Sequence, residues 1–403
     1  MREQLLSAGL HEANGKPADV YVINTCTVTA SADSDSRKFV RRALSLNPDA
    51  QIIVTGCYVE KDADAIKDIC LDAVILKNNE KDNIASVIAR SPEGATKQSP
   101  RSKEIASLPS VARNDVFFGI SHFANHNRAF VKIQDGCDNY CSYCKVPMVR
   151  GRPRDRKKAG VVKEIKALVK NGFKEIVLCG ICLGAYRDLT CLLAELEKIE
   201  GLERIRLSSI EPYYVDEKLI DTIASSKKIC RHLHIPLQSG DNRILKLMNR
   251  RYTAPQYVKL INRIRVKMPD IAITTDVIVG FPGEAQEEFK NTLKALDAVK
   301  PMRTHVFSFS KRPGTKAFTM PGEPDKKEKS RRAGTVRRLA GEFASSYAKR
   351  FKGKAARVLV EGNRDKKTGL LTGYTDNYIK IFFDGPDALI NEMADIRVER
   401  YGN

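Results

Sequence analysis

Three cysteines, Cys137, Cys141 and Cys144, stand within the run Gly136-Cys137-Asp138-Asn139-Tyr140-Cys141-Ser142-Tyr143-Cys144, directly after the apolar stretch Phe130-Val131-Lys132-Ile133. Three close thiols do not complete a tetrahedral zinc site, which takes four ligands. They can hold three irons of a four-iron, four-sulfur cube and leave the fourth iron open to a small molecule. The competing chemistry is zinc with a distant fourth ligand, since the chain holds 10 cysteines. Cys26 and Cys57 each fall just past the end of a predicted strand and are further metal-ligand candidates, with buried packing thiols as the alternative. Cys179 and Cys182 form a C-x-x-C pair that reads either as a metal pair or as ordinary small residues at a barrel mouth. Cys191 and Cys230 read as structural.

The elements that must position these residues follow from hydrophobic periodicity. Over residues 1–90, a helix end at 2–8 is followed by strands at 19–24, 51–55 and 72–76. Helical patterns at 31–46 and near 61–69 and 80–90 alternate with them, which predicts an α/β, doubly wound parallel sheet. Residues 91–125, rich in Ser, Pro and Lys, read as a linker or insertion. Six strand patterns then recur at 129–134, 175–180, 204–210, 232–237, 272–280 and 303–310, with helices between them. They predict a partial (βα)6 TIM-like barrel over 126–340, with the three-cysteine loop at the carboxyl end of its first strand, where such barrels keep their active sites. Ser208, Glu211, Gln238 and Asp276 lie at strand ends, where they either contact cofactor or substrate or make ordinary barrel-mouth hydrogen bonds. His232 and His234 read as structural. Residues 326–350 form a basic amphipathic helix. Short glycine-punctuated strands at 356–361, 370–374, 378–383 and 395–400 then predict a small C-terminal β-barrel over 344–403.

Formal net charge is +20, from 69 Lys and Arg against 49 Asp and Glu. The excess is clustered, in Arg150, Arg152, Arg154, Arg156, Lys157 and Lys158 and again along 325–354, which points to a polyanionic partner and most simply to nucleic acid. Arg364, Lys366 and Lys367 offer backbone contacts, and Tyr374 and Tyr378 offer base stacking or simple packing between strands. No apolar run of about 18 residues and no signal-peptide core appear, so the expectation is a cytoplasmic protein with no membrane contact and with reduced thiols.

Several segments together resemble one family, the radical S-adenosylmethionine methylthiotransferases, and within it most closely the branch acting on threonylcarbamoyladenosine in tRNA. The pattern C-x-x-x-C-x-aromatic-C, with Tyr143 before the last cysteine, carries the first likeness. Asn24-Thr25-Cys26-Thr27-Val28-Thr29, Thr55-Gly56-Cys57, Arg150-Gly151-Arg152, and His234-Ile235-Pro236-Leu237-Gln238-Ser239-Gly240 extend it. So do Met248-Asn249-Arg250-Arg251-Tyr252-Thr253, Asp276 to Glu284 (DVIVGFPGE), Phe309 to Thr315 (FSKRPGT) and a final segment similar to a TRAM domain. The resemblance implies S-adenosyl-L-methionine and two 4Fe-4S clusters. Cys137, Cys141 and Cys144 would hold the radical cluster, and the N-terminal domain, with Cys26 and Cys57, the other. It further implies cleavage of the cofactor to a 5′-deoxyadenosyl radical, hydrogen abstraction from the adenine carbon that receives sulfur, a low-potential electron donor, a sulfur donor and tRNA as partner. Relatives with the same chemistry act on isopentenyladenosine or on a ribosomal-protein aspartate, and an RNA-binding relative without sulfur transfer is a further reading. The family carries a third N-terminal cysteine, in a loop after a strand that precedes the first helix. Here the chain begins inside that helix, and Cys70 lies at the opposite edge of the predicted sheet. The expectation is therefore either an upstream start or an incomplete second cluster.

Overall fold

The β-branched runs at 20–25 and 51–56 form strands β1 (Val20–Thr25) and β2 (Gln51–Gly56), which pair in parallel with β3 (Val74–Leu76) in the order β1-β2-β3. The computed structural model describes residues 1–13, 16–26, 30–90 and 127–402. The expected linker at 91–125 and the Thr-Val-Thr part of the Cys26 motif lie outside the described residues. Two compact units result. One comprises the described residues through 90 with Cys144–Gly151 and Ser310–Gly314; the other comprises 127–143, Arg152–Phe309 and 315–402.

In the first unit the sheet is apolar on both faces, as parallel strands covered by helices must be. Ile52 and Val54 pack with Val40 and Ala43 of α2 (Ala30–Leu46) and Ile66 of α3 (Asp64–Lys67). Ile53 faces the other way, onto Leu5 of α1 (Arg2–Ser7) and Ile84 of α4 (Ile84–Arg90). The short α5 (Val146–Arg150) belongs to this unit.

In the second unit the six expected barrel strands are all present: β4 (Arg128–Asp135), β6 (Glu175–Gly180), β7 (Arg204–Leu207), β8 (His232–His234), β9 (Ala272–Val279) and β10 (Arg303–Ser308). A two-residue β5 (Arg154–Asp155) pairs antiparallel with β4. The sheet segments β5-β4-β6-β7 and β8-β9-β10 meet through the Ile205–Ile229 bridge and an Ile210 N–H to His234 C=O bond of 3.0 Å. No pairing between β4 and β10 occurs among the described residues, so the barrel stays partial. Helices α6 (Lys158–Lys170), α7 (Leu189–Leu196), α8 (Glu217–Ser225), α9 (Asn242–Leu247), α10 (Ala254–Lys267) and α11 (Gln286–Val299) fill the connections.

Period-2 alternation divides these strands. Val131, Leu178, Ile205, Leu233, Ile273 and Val277 enter one core with the helices. The alternate residues, including Lys132, Arg206, His234, Asp276 and His305, line the other face. A parallel sheet polar on one face departs from the usual doubly buried pattern and leaves an inner surface fit to receive polar ligands.

The inner face is closed at one end by charge. Glu175, fully buried, lies 3.0 Å from Arg206, 3.6 Å from Arg204 and 3.9 Å from Arg128. Burial alone would raise its pKa, but the arginines, Arg206 foremost, hold it below the ordinary value. Their remaining donors reach the C-terminal sheet: Arg204 bonds the Tyr374 carbonyl at 2.9 Å and Arg206 the Asp376 carbonyl at 3.0 Å.

After the basic helix α12 (Lys326–Lys349) that sheet has five antiparallel strands, β11 (Ala355–Val360), β12 (Leu371–Thr375), β13 (Lys380–Phe383), β14 (Met393–Arg397) and β15 (Arg400–Gly402), in the order β14-β11-β12-β13-β15. This corrects the expected four-stranded barrel. The last pattern, at 395–400, breaks at Val398, whose backbone bonds Gly353 and Lys354 instead, so its two halves join opposite edges of the sheet.

Candidate active site

The three-cysteine loop is fixed from several sides. Gly136 turns the chain out of β4 with φ +77°, a conformation that suits glycine. The Gln134 side chain donates to the Asp135 and Gly136 carbonyls and accepts from the Cys182 N–H at 2.8 Å, which ties the loop after β6 to the loop after β4. From the segment after α9, Asn249 (φ +58°) donates to the carbonyls of Asn139 and Tyr140 at 3.1 and 3.0 Å, and the Met248 carbonyl accepts from Ser142 N–H at 3.1 Å. Tyr143, half-buried, meets Phe281 edge-on at 6.4 Å beside Ile244 and Met248. The aromatic in the cysteine motif is thus a packing anchor for its loop.

One of the three thiols, Cys137, is set up to ionise. A hydrogen bond from Cys182 lowers the Cys137 pKa to about 7 against the opposing effect of burial, and the same bond raises that of Cys182. Burial raises the Cys141 pKa, while Arg250, whose Nη1 lies 3.3 Å from Cys141 Sγ, pulls the other way. Arg250 also pairs with Glu211. Cys144 accepts from the Val146 N–H at 3.5 Å, and all three cysteines are free thiols. This donor set fits a cluster with thiolate ligands and an open corner. Ser208 Oγ, one residue past β7, is buried without a hydrogen-bond partner, which fits a hydroxyl that receives a polar ligand.

The other sequence-predicted residues fall as follows. Gln238 adopts φ +63° after β8, its N–H bonding the Asp276 carbonyl at 2.8 Å. Asp276 lies 3.2 Å from His234, so that histidine belongs to a polar cluster rather than to packing alone. Cys26 and Cys57 come at the ends of adjacent strands, the Cys57 N–H bonding the Thr25 carbonyl at 3.1 Å. Cys57 Sγ accepts from Arg150 at 3.1 Å, which gives Arg150 a sulfur partner within the first unit. Arg152 and Arg154 are exposed. Burial raises the Cys179 pKa to about 11.

Two of the expected RNA-binding residues also have partners within the protein. The Tyr374 ring stacks on Tyr378 at 5.1 Å with the Arg128 guanidinium 5.1 Å from its centre, so it takes part in the junction of barrel and C-terminal sheet. Arg364 spends its guanidinium on Asp387 and the Gly369 and Gly385 carbonyls, closing its own loop. Lys366 remains exposed. Sequence reading missed Arg250 as a partner of Cys141, although its motif was evident, because nothing in the spacing brings position 250 to position 141.

Three family models match the chain: the Radical SAM superfamily over residues 131–296, Uncharacterized protein family UPF0004 over 1–76, and the TRAM domain over 349–401. A threonylcarbamoyladenosine tRNA methylthiotransferase of Bacillus subtilis is 36% identical over 96% of this chain and 86% of its own length. This chain belongs to the radical S-adenosylmethionine methylthiotransferases. A tRNA-2-methylthio-N(6)-dimethylallyladenosine synthase of Natranaerobius thermophilus is also 36% identical, over 96% of this chain and 87% of its own. Among solved structures, the radical S-adenosylmethionine methyltransferase TsrM of Kitasatospora setae has the same fold at TM-score 0.57 and 18% identity, covering 79% of this chain and 67% of that one. Membership in this family brings S-adenosylmethionine and a 4Fe-4S cluster. No described helix is long and apolar enough to cross a membrane.

Proposed function

We propose that this enzyme adds a methylthio group to C2 of N6-threonylcarbamoyladenosine beside the anticodon of tRNA. The observation that carries the reading is the Cys137–Cys141 loop, braced by Met248–Arg251 at the carboxyl edge of a barrel whose inner face is polar. The family cluster, when bound, supplies the electron that cleaves S-adenosylmethionine. Cys137, Cys141 and Cys144 hold it; Arg250 offsets thiolate charge at Cys141 and is itself held by Glu211. Ser208 has a hydroxyl to offer the cofactor, and Gln238 shapes the same rim. The apolar packing around Tyr143 and Phe281 shields the loop from water. Cys26 and Cys57, with Arg150 beside Cys57, supply two ligands to a second cluster that handles sulfur. A sulfur donor and a low-potential electron donor complete the requirement. Residues 1–90, 126–340 and 344–403 act as the sulfur, radical and RNA-binding domains, with Arg152, Arg154 and Lys366 facing phosphates.

Relatives named for dimethylallyladenosine are equally similar, so the choice of substrate rests on chemistry. Threonylcarbamoyl carries a carboxylate and a ureido group, whereas the alternative substituent is a hydrocarbon. Lys132, His234 and His305 on the inner face suit the former. Mass spectrometry of tRNA nucleosides from a deletion strain, with and without the restored gene, tests this. The methylthio mark on threonylcarbamoyladenosine should vanish and return. Loss of only the dimethylallyl mark would reverse the assignment.

A further inference from the structure

On the inner face, apart from the cysteines, three metal-ligating side chains converge. His234 ends β8, Asp276 lies mid-β9 and His305 lies on β10, directly opposite Asp276 in the parallel register. One ligand atom from each lies within 4.8 Å of the other two. His234 Nε2 and Asp276 Oδ2 are 3.2 Å apart, close to the roughly 3.3 Å that separates two ligands of a tetrahedral ion bound at about 2.0–2.1 Å. The other ring nitrogen, His234 Nδ1, lies 2.9 Å from Thr274 Oγ1. A hydrogen bond there fixes the ring and leaves Nε2 for a metal, the usual outer-shell arrangement of a ligating histidine. Thr274 is itself held, 3.0 Å from buried His232 Nε2.

We propose that His234, Asp276 and His305 form a site for a first-row divalent cation. Two imidazoles and one carboxylate on one face match zinc or ferrous iron, with the remaining positions open to water or a substrate oxygen. His305 is exposed, and Phe307, next along the same face of β10, is exposed too. The site is separate from the thiolate ligands, and it uses His234 and His305, so a cation bound there would meet the threonylcarbamoyl carboxylate in place of the free imidazoles.

The test uses the reconstituted, cluster-loaded enzyme and zinc as the probe. Zinc is added, excess is removed by gel filtration, and zinc and iron are counted per chain. X-ray absorption at the zinc edge then reads the ligands. The expected result is one zinc per chain with nitrogen and oxygen neighbours only and unchanged iron, and at least a tenfold loss of zinc affinity in His305→Ala and in Asp276→Asn. His305 is exposed on an edge strand and Asp276→Asn is isosteric, so both variants should fold, which unchanged iron content would verify. No retained zinc, sulfur neighbours at about 2.3 Å, or affinity unchanged in both variants would each overturn the proposal, leaving His234 and Asp276 as a hydrogen-bonded pair.

Discussion

Arg250 stands between a thiol and a carboxylate, its Nη1 3.3 Å from Cys141 Sγ and 3.2 Å from Glu211 Oε1. Its side chain is only 2% exposed and that of Glu211 18%. Removing one partner from such a pair leaves a buried charge and costs about 3–5 kcal/mol. Arg250→Met should therefore lower stability by that order in denaturant titrations and reduce iron retention. Arg250→Met with Glu211→Gln should regain most of the stability but not the iron. Equal recovery of both would show that the guanidinium serves folding alone.

Cys137 and Cys182 make a second coupled pair. In cluster-free protein, the Cys182 hydrogen bond should give Cys137 an alkylation midpoint at about pH 7. Cys182→Ala should return it toward 9.0, the ordinary value of an unperturbed thiol. Iodoacetamide labelling across pH, read by peptide mass spectrometry, measures both. A midpoint indifferent to Cys182 would remove that thiol from any part in preparing the ligand.

Much of this was legible in the sequence because local signals coincide with function. The Cys137–Cys144 spacing, the six strand patterns and the strand-end positions of Cys26 and Cys57 all depend on short-range periodicity. What the sequence hid is long-range. Arg250 reaches Cys141 across 109 positions, and the Tyr374 ring is engaged by Arg128, on a strand far earlier in the chain. His234 looked structural because a histidine flanking a strand carries no signal until β8, β9 and β10 are aligned in register. The C-terminal strand count failed for a local reason: the β pattern through 395–400 does not show that Val398 pairs elsewhere.

Glu175 ties acid stability to the junction between barrel and C-terminal sheet. Its arginines depress its folded pKa below 4.5. The contribution is therefore complete above the unfolded value and is lost as pH falls through the depressed one. Glu175→Gln should cost about 3–5 kcal/mol at neutral pH, leaving three buried guanidinium groups with too little counter-charge. The gap between variant and parent should close as pH drops below 4.5. A gap constant from neutral to acid pH, followed by urea unfolding, would mean that the carboxylate charge is not what holds the junction.

Gly56 separates the role of Cys57 from general stability. It has φ +109°, and a Cβ added there would come 2.1 Å from the Thr25 carbonyl oxygen, a backbone atom that cannot swing away. Gly56→Ala must therefore push β2 from β1 at the position that sets Cys57 beside Arg150. Backbone strain alone costs about 1–3 kcal/mol, and the clash adds to it. Gly334→Ala, inside α12 with nothing within 4 Å of the new methyl, should instead be neutral or stabilising by up to about 1 kcal/mol. The telling measurement is chemical. In reconstituted protein, Gly56→Ala should lose the iron assigned to Cys26 and Cys57 while 5′-deoxyadenosine formation at the radical cluster persists. Cleavage lost together with that iron would mean that the first unit is needed to support the cofactor site, and would move Cys57 from sulfur handling to structure.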